Sequence, residues 1–499
     1  MRAALLAFLL LAAPAAAEPP ATAPTPVARP ASALPDALTL VAEAEIRGET
    51  AWIVVDLETG QPLEGGQADT PLPLASVAKI PTALYALDTL GPDHRFETRL
   101  IALGPIESGV LKGDLALQGG GDPETDSESL GLLAAQAAEA GIKKLEGRFL
   151  VDSALYPAVE EIDPTQPEIA AYNPAVGALN LNYNRVFAEW AKKGDRIEMK
   201  IEARAERASP PTEAVRVEVA ETAPGPAAFT RIGGVAPEIW RASAQALERP
   251  GGRWLPVRRP DLYAGEVFRR LASEEGLSLP APESGQAPIV SDIAARMESR
   301  ELADILADML RYSTNLTAEA VGLAATRAGG ATVDSLAASA TAMNAWAAGF
   351  AGFPPGDPGF LLVNHSGLSG DSRASVRRLV ELLVAADRRG FPALGGGRAA
   401  NLKGLLPDRP YLDAGSTPPP QEASVRAKTG TLNFVSALAG YIEPAGGRRL
   451  AFAIISADMA SREAFADEEI ETPPGARAWA ARARALQRAL IRSWIARFG

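Results

Sequence analysis

Leu74-Ala75-Ser76-Val77-Ala78-Lys79-Ile80-Pro81 is the stretch on which the fold turns. Upstream, Thr50 to Asp56 (TAWIVVD) reads as a buried strand, Leu57-Glu58-Thr59-Gly60 as a turn, and Pro62 onward as a second extended segment. Downstream, Ile80, Leu84, Leu87 and Leu90 recur at helical spacing, so an extended-to-helix junction delivers Ser76 at a helix start. Pro81 removes one backbone hydrogen bond early in that helix, which predicts an irregular first turn and not the end of the helix. Three residues apart on a helix, Ser76 and Lys79 stand one above the other, where an amine can take the proton of a hydroxyl.

A lone S-x-x-K arises by chance in roughly one of two chains of this kind, and its bland reading is a solvated lysine beside a serine. Two further motifs change that balance. Ser313-Thr314-Asn315 interrupts two helical patterns, Glu301 to Arg311 and Asn315 to Arg327, and Lys428-Thr429-Gly430-Thr431 closes a strand that starts at Ser424. A closely similar trio, with Asp in place of Thr314, marks class A β-lactamases and penicillin-binding proteins. Amide hydrolysis through an acyl-enzyme needs a nucleophile, a base, oxyanion donors and a hold on the substrate. Gly430 would let a substrate backbone lie close along the strand edge, Thr429 and Thr431 offer hydroxyls to a terminal carboxylate, and Lys428 supplies positive potential. A second ammonium near Lys79, with partial burial, is expected to lower the pKa of Lys79 toward the free amine a base requires.

The chain resembles the class C, type-4 penicillin-binding proteins, the D-alanyl-D-alanine carboxypeptidase/endopeptidase family with a large insertion between the first two motifs. The likeness is carried by Leu74 to Phe96, by GDLALQGGGDP from Gly113 to Pro123, and by the run Ser313 to Glu319. Ser366-Gly367-Leu368-Ser369 and Lys428-Thr429-Gly430-Thr431-Leu432, followed by Leu438-Ala439-Gly440-Tyr441, complete it. The resemblance implies an α/β (α+β) serine transpeptidase/β-lactamase-like domain, an antiparallel sheet flanked by helices, with smaller β-rich inserted domains. It implies Ser76 as acylated nucleophile, Lys79 as base, Ser313 as proton shuttle and Asn315 as holder of the substrate amide. Lys428 and Thr429 would hold the carboxylate, and the N–H groups of Ser76 and Thr431 the oxyanion. Peptidoglycan peptides are the implied substrates and β-lactams the implied covalent inhibitors. Two departures stand out: Asn364-His365 replace the usual Asp-Gly before Ser366, and Asn401-Leu402-Lys403-Gly404 replace a glycine-threonine-leucine turn. Both are expected at the rim of the cleft.

Composition narrows the alternatives. The chain has 499 residues, long enough for two or three domains. MRAALLAFLLLAAPAAA, residues 1–17, reads as a secretory signal peptide with an A-x-A site, too short to span a bilayer comfortably, and predicts a periplasmic protein without a strong membrane anchor. Residues 18–36, rich in Pro and Ala, form a linker. The expected domains are 37–100 with 288–499 for the peptidase, 101–180 with 260–287 for an insert, and 181–259 for a second β-rich insert. There is no cysteine and no H-E-x-x-H, so no thiol nucleophile and no zinc motif; neither a metal nor an organic cofactor is implied. A net charge of −12 argues against a nucleic-acid partner.

Bland readings compete elsewhere. His365, with no carboxylate placed to orient it, reads as a loop residue lining or flanking the cleft, not as a triad base. Asp122 and Glu124 read as a turn before a cation site. The C-terminal helix from about Ala476 to Phe498 carries Arg477, Arg482, Arg484, Arg488, Arg492 and Arg497 with Trp479, Leu486, Leu490 and Trp494. It reads as a cover for the sheet before a membrane-surface helix. The functional alternatives are a β-lactamase, for which the E-x-x-L-N glutamate is missing before Leu179-Asn180, and a non-catalytic peptidoglycan-binding scaffold, which would be expected to have lost Ser76, Lys79 or Lys428. The motifs are silent on oligomeric state and on the balance of carboxypeptidase and endopeptidase activity.

Overall fold

The computed structural model describes residues 35–194, 196–221, 228–288, 293–412, 422–465 and 470–499; the signal-peptide reading and nearly all of the linker lie outside them. Glu49–Asp56 buries seven of its eight residues and Leu450–Ala457 all eight, because both strands sit inside a sheet covered on two sides. The sheet has five antiparallel strands in the order Pro62–Gly66, Glu49–Asp56, Leu450–Ala457, Val435–Pro444 and Ala423–Leu432. Its last three strands are the expected meander, with Lys428 opposite Ala439 and Thr431 opposite Ser436.

Side chains alternate across the sheet and fill two cores. Ala51, Ile53, Val55, Ala437, Ala439, Tyr441, Ala453 and Ile455 face a helical layer that includes Lys79–Leu90, Leu302–Tyr312, Asn315–Ala328, Leu336–Ala351 and Val376–Arg388. Trp52, Val54, Leu438, Ile442, Phe452 and Ile454 face the C-terminal helix Ala476–Phe498 through Leu486, Leu490, Ile491, Trp494 and Ile495. That helix is thus a cover for the sheet, with Arg477, Arg482 and Arg484 in solvent. No helix among the described residues is long and apolar enough to cross a membrane.

Between the first and second motifs a second five-stranded sheet runs Pro282–Ser284, Phe149–Asp152, Asp114–Gln118, Glu97–Leu103 and Ile293–Glu298. Its first and last strands in sequence reach Glu97 and Glu298, past the expected breaks at 100 and 288, since Glu97–Leu103 pairs with Ile293–Glu298. Two three-stranded sheets follow within it: Arg196–Glu202, Arg185–Lys193 and Gly251–Pro256, then Val215–Ala220, Glu238–Ser243 and Phe229–Gly233. Leu115, Phe149, Tyr263 and Phe268 of the first insert region share one core with Val186, Trp240 and Leu255 of the second. The described residues, from 35 on, belong to one compact unit.

Trp494 is fully buried and its Nε1 donates to Glu64 Oε2 at 2.9 Å. Trp494→Ala is expected to cost about 3–5 kcal/mol, seen as a lower denaturant midpoint. An unchanged midpoint would remove the C-terminal helix from the stabilising core.

Candidate active site

The junction at Ser76 is built by short, strained pieces. Leu72–Pro73 pairs with Arg373–Ala374, and the Leu74 N–H donates to Ser372 O at 3.1 Å. Ala75 then takes φ 46°, a left-handed conformation costly for a residue with a Cβ. Ala75–Ala78 is a 3₁₀ turn that runs into the α-helix Lys79–Leu90, the irregular first turn that Pro81 predicts. A 3₁₀ turn eclipses side chains at i and i+3, which sets Lys79 directly against Ser76: Nζ lies 3.0 Å from Oγ.

The other two motifs converge on the same point. Ser313 ends the helix Leu302–Tyr312 at φ 62°, and this left-handed turn separates it from the helix that Asn315 begins. Lys428 Nζ donates to Ser313 Oγ at 2.9 Å and to Thr429 O at 2.8 Å. Asn315 Oδ1 accepts from Lys79 Nζ at 2.7 Å, and the same ammonium or amine donates to Ser366 O at 2.8 Å. Ser76, Lys79 and Asn315 therefore form one hydrogen-bonded group and Ser313 and Lys428 a second, drawn together over more than 350 positions of sequence.

The strand Ala423–Leu432 is the edge of its sheet. Its edge is occupied at Val425 O and Ala427 N–H by Arg409 N and Pro407 O. Alternation then points the backbone groups of Thr429 and Thr431 the same way, away from the neighbouring strand. Beside them opens a cavity of about 340 Å³ lined by Ser76, Ser313, Asn315, Leu368, Thr431 and Phe434, with Thr165, Gln166 and Tyr172 from the insert. Arg462 and Glu471 complete its charged wall. Thr429 is half-buried and does not border it.

Burial governs the electrostatics. Lys79 is 0 % exposed, and loss of hydration pulls its pKa from 10.5 down to about 7, opposed by the negative charge of Glu319. The sequence argument for a low pKa rested on partial burial and a second ammonium; the burial is complete and is the leading cause. Lys428 is held well below the ordinary lysine range by burial first, then by the charges of Lys79 and Arg409.

Several expectations are corrected. Gly430 does not open room along the strand for a substrate: a Cβ there would lie 2.6 Å from Leu74 O and 3.1 Å from Ser76 N, so its missing side chain lets the strand touch the Ser76 turn. His365 does not line the cleft. It is fully buried, its Nε2 lies 2.7 Å from Ser339 Oγ, and burial pushes its pKa down to about 3. Asn364 is buried as well, its Oδ1 accepting from Gly367 N at 3.0 Å, so this departure sits beneath the site and not at its rim. Asn401-Leu402-Lys403-Gly404 borders no part of the cavity; Leu402–Leu405 is a short helix capped by Asn401, and Lys403 pairs with Glu443 at 2.7 Å. Asp122 closes a turn by accepting the Glu124 N–H at 2.9 Å, and Glu124 pairs with Arg300.

Three functional features escaped the sequence reading. Glu319, fully buried, accepts the N–H groups of His365 and Ser366 at 3.0 and 2.8 Å. Its signal was available: a lone carboxylate in the apolar helical run Leu316 to Ala325. Tyr172 O accepts from Asn315 Nδ2 at 2.9 Å and joins the insert to the site. Arg258 donates to Glu160 O, Asn173 O and Glu168 O at 3.0, 2.7 and 2.9 Å, clamping the loop that carries Thr165, Gln166 and Tyr172. Carbonyl partners of this sort leave no trace in residue identity.

Two buried lysines, each hydrogen-bonded to a serine that borders the same cleft, define a serine acyl-transfer enzyme. The chain belongs to the D-Ala-D-Ala carboxypeptidase 3 (S13) family, whose model matches residues 37–473. It is a serine DD-peptidase. It is similar to the D-alanyl-D-alanine carboxypeptidase of Actinomadura sp. (strain R39), 26% identical over 442 residues, 81% of this chain and 77% of the relative. It is 25% identical over 426 residues to the D-alanyl-D-alanine carboxypeptidase DacB of Haemophilus influenzae, 80% of this chain and 84% of the relative. The fold is that of the Haemophilus influenzae penicillin binding protein 4 crystal structure, with TM-score 0.72 and 21% identity over 92% of this chain and 99% of that one.

Gly430→Ala should displace the Ser76 turn, cost about 1–3 kcal/mol of stability, and slow acylation of Ser76 at least tenfold. Parent-like acylation kinetics in a folded variant would show that the contact does not fix the turn.

Proposed function

We propose that the chain cleaves D-alanyl peptide bonds of peptidoglycan through an ester on Ser76, with Lys79 as the base. The observation that carries this is the set of acceptors around Lys79 Nζ. A neutral amine has two N–H groups and one lone pair. Ser366 O and Asn315 Oδ1 are carbonyl oxygens and can only accept, so they take both N–H groups. The lone pair is left for the hydroxyl of Ser76 at 3.0 Å.

In this scheme Ser76 Oγ attacks the carbonyl carbon of the penultimate D-alanine as its proton passes to Lys79 Nζ. The oxyanion is held by the N–H groups of Ser76 and Thr431. The C–N bond breaks as the departing amine takes a proton from Ser313 Oγ, which Lys428 orients, and Ser313 Oγ regains one from Lys79 Nζ, returning that amine to its neutral form. Water then attacks the ester, Lys79 taking its proton and passing it to the departing Ser76 Oγ, which frees the product acid and Ser76. Lys428 supplies positive potential, and Thr431, which borders the cavity, a hydroxyl donor for the substrate's terminal carboxylate. Asn315 holds the substrate amide once its bond to Tyr172 O exchanges.

A free terminal D-alanine makes the reaction a carboxypeptidase step, and a cross-linking amine makes it an endopeptidase step. β-Lactams present an amide carbonyl to the same hydroxyl and would acylate it. The complex of the Haemophilus influenzae protein with a β-lactam, 21% identical to this chain at TM-score 0.69, shares the fold. Export directed by residues 1–17 would bring the protein to its substrate in the periplasm. Residues 37–96 with 299–499 carry the chemistry, and 97–298 supply one wall of the cleft.

Intact-protein mass spectrometry after benzylpenicillin is expected to show one stable adduct, mapped to Ser76 and absent from Ser76→Ala. An untouched protein with intact penicillin would overturn the acylation scheme, and rapid turnover of penicillin would favour a β-lactamase. The second-order acylation rate should climb as pH rises through about 7, where Lys79 loses its proton. A rate that is flat from about pH 5 to 9 would remove Lys79 from the role of base.

A further inference from the structure

Glu319 is a buried carboxylate that the scheme above leaves unused. It lies four residues beyond Asn315 on the helix Asn315–Ala328, one turn deeper beneath the site. Its two oxygens accept successive peptide N–H groups, His365 at 3.0 Å and Ser366 at 2.8 Å. The carbonyl of Ser366 then accepts from Lys79 Nζ at 2.8 Å. The lysine is located by a loop, and the loop is located by Glu319.

That loop has a single seat. A Cβ on Gly322 would come within 2.2 Å of the His365 ring, so the ring lies flat on the helix three residues past Glu319. Ser339 holds the ring from the other side. Gly367, at φ 71°, would put a Cβ 2.0 Å from Ala75 O and 2.7 Å from Ala78 Cβ, so the loop also presses on the Ser76 turn.

We propose that Glu319 is a positioning residue for the acylation reaction: it seats the Asn364–Leu368 loop, and through Ser366 it fixes Lys79 against Ser76 while its buried negative charge acts on the lysine. The proposal rests on the reading of Lys79 as base and deepens it. Burial raises the Glu319 pKa above its ordinary value, and the two charge-assisted bonds from peptide N–H groups, with the charge of Lys79, pull back toward the carboxylate. The groups that face it are Lys79 from the helix Lys79–Leu90 and His365 from the loop, with Lys428 behind Lys79. His365 stays neutral in the working range because burial pushes it down to about 3. The negative charge favours the ammonium form of Lys79, against burial, which favours the amine.

The sign of the effect follows. Removing the charge leaves burial unopposed, so Lys79 sheds its proton at lower pH and the acid limb of the acylation profile moves down. Glu319→Gln keeps the shape but must turn an amide NH₂ toward one of the two peptide N–H groups. Glu319→Asp keeps the charge and shortens the reach.

The experiment is the pH dependence of the second-order rate of Ser76 acylation by benzylpenicillin, in the whole chain and both variants, with thermal unfolding recorded alongside. Glu319→Gln should show an acid limb about one pH unit below the parent's and a plateau at least tenfold lower. Glu319→Asp should show a lowered plateau with the limb within about half a unit of the parent's. A Glu319→Gln limb that coincides with the parent's, or a Glu319→Asp limb displaced as far as that of Gln, overturns the proposal. If Glu319→Gln does not fold, the Asp limb decides alone, displacement by more than about half a unit being the overturning result. A parent chain that forms no adduct at Ser76 would instead sink the reading of Lys79 on which the proposal stands.

Discussion

The rest of the structure is organised around the removal of one lysine amine from water. Bringing Lys79 from its ordinary 10.5 to about 7 corresponds to about 5 kcal/mol against the charged form, a burden that a marginally stable domain carries only where function requires it. Three partners soften that cost, and each comes from a different place: Ser76 from the 3₁₀ turn just before the lysine, Asn315 from the start of a distant helix, Ser366 from a loop. None of the three can be misplaced without leaving a buried amine short of a partner. The sheet, the helical layer and the strained backbone at Ala75 and Ser313 serve that convergence.

Dense approach of backbones is the second requirement, and glycine meets it. Gly430 lets the edge strand reach the Ser76 turn, Gly367 lets the loop reach the same turn from the other side, and Gly322 lets the His365 ring lie on the helix. A methyl group at any of these positions would overlap backbone or ring atoms. The site is therefore held from three directions by contacts in which no side chain intervenes on one partner, which leaves the turn little freedom to drift from the lysine.

This explains what was legible in the sequence and what was not. The strand Thr50 to Asp56, the strand that starts at Ser424, the helix starts at Asn315 and Ala476, and the irregular turn at Ser76 all follow from local rules of spacing and proline chemistry. The three motifs were legible because acyl transfer needs those functional groups. The surroundings of His365 were not, since nothing in Asn364-His365-Ser366 states that the loop faces inward onto Gly322. Gly430 was read for what a substrate might need, when a neighbouring turn occupies the space. The insert was expected as two domains, 101–180 with 260–287 and a second, β-rich one at 181–259, but their shared core depends on Trp240 and Phe268 joining one cluster across the expected boundary.

The insert is where remote residues reach the chemistry through backbone alone. Arg258, at the end of a strand of the second insert region, places its guanidinium on the carbonyls of Glu160, Glu168 and Asn173. Asn173 braces the same loop, its Oδ1 accepting from Ile162 N and Asp163 N at 2.9 Å each. Its neighbour Tyr172 offers a carbonyl to Asn315, whose other amide atom meets Lys79. Four residues from three regions of sequence thus connect a guanidinium buried in the insert to the amine beside Ser76. A planar donor such as arginine can bridge several carbonyls in fixed geometry where a lysine could not. The shape of the cleft wall is for this reason a property of the insert's packing, and the insert belongs to the active site as fully as the motifs do.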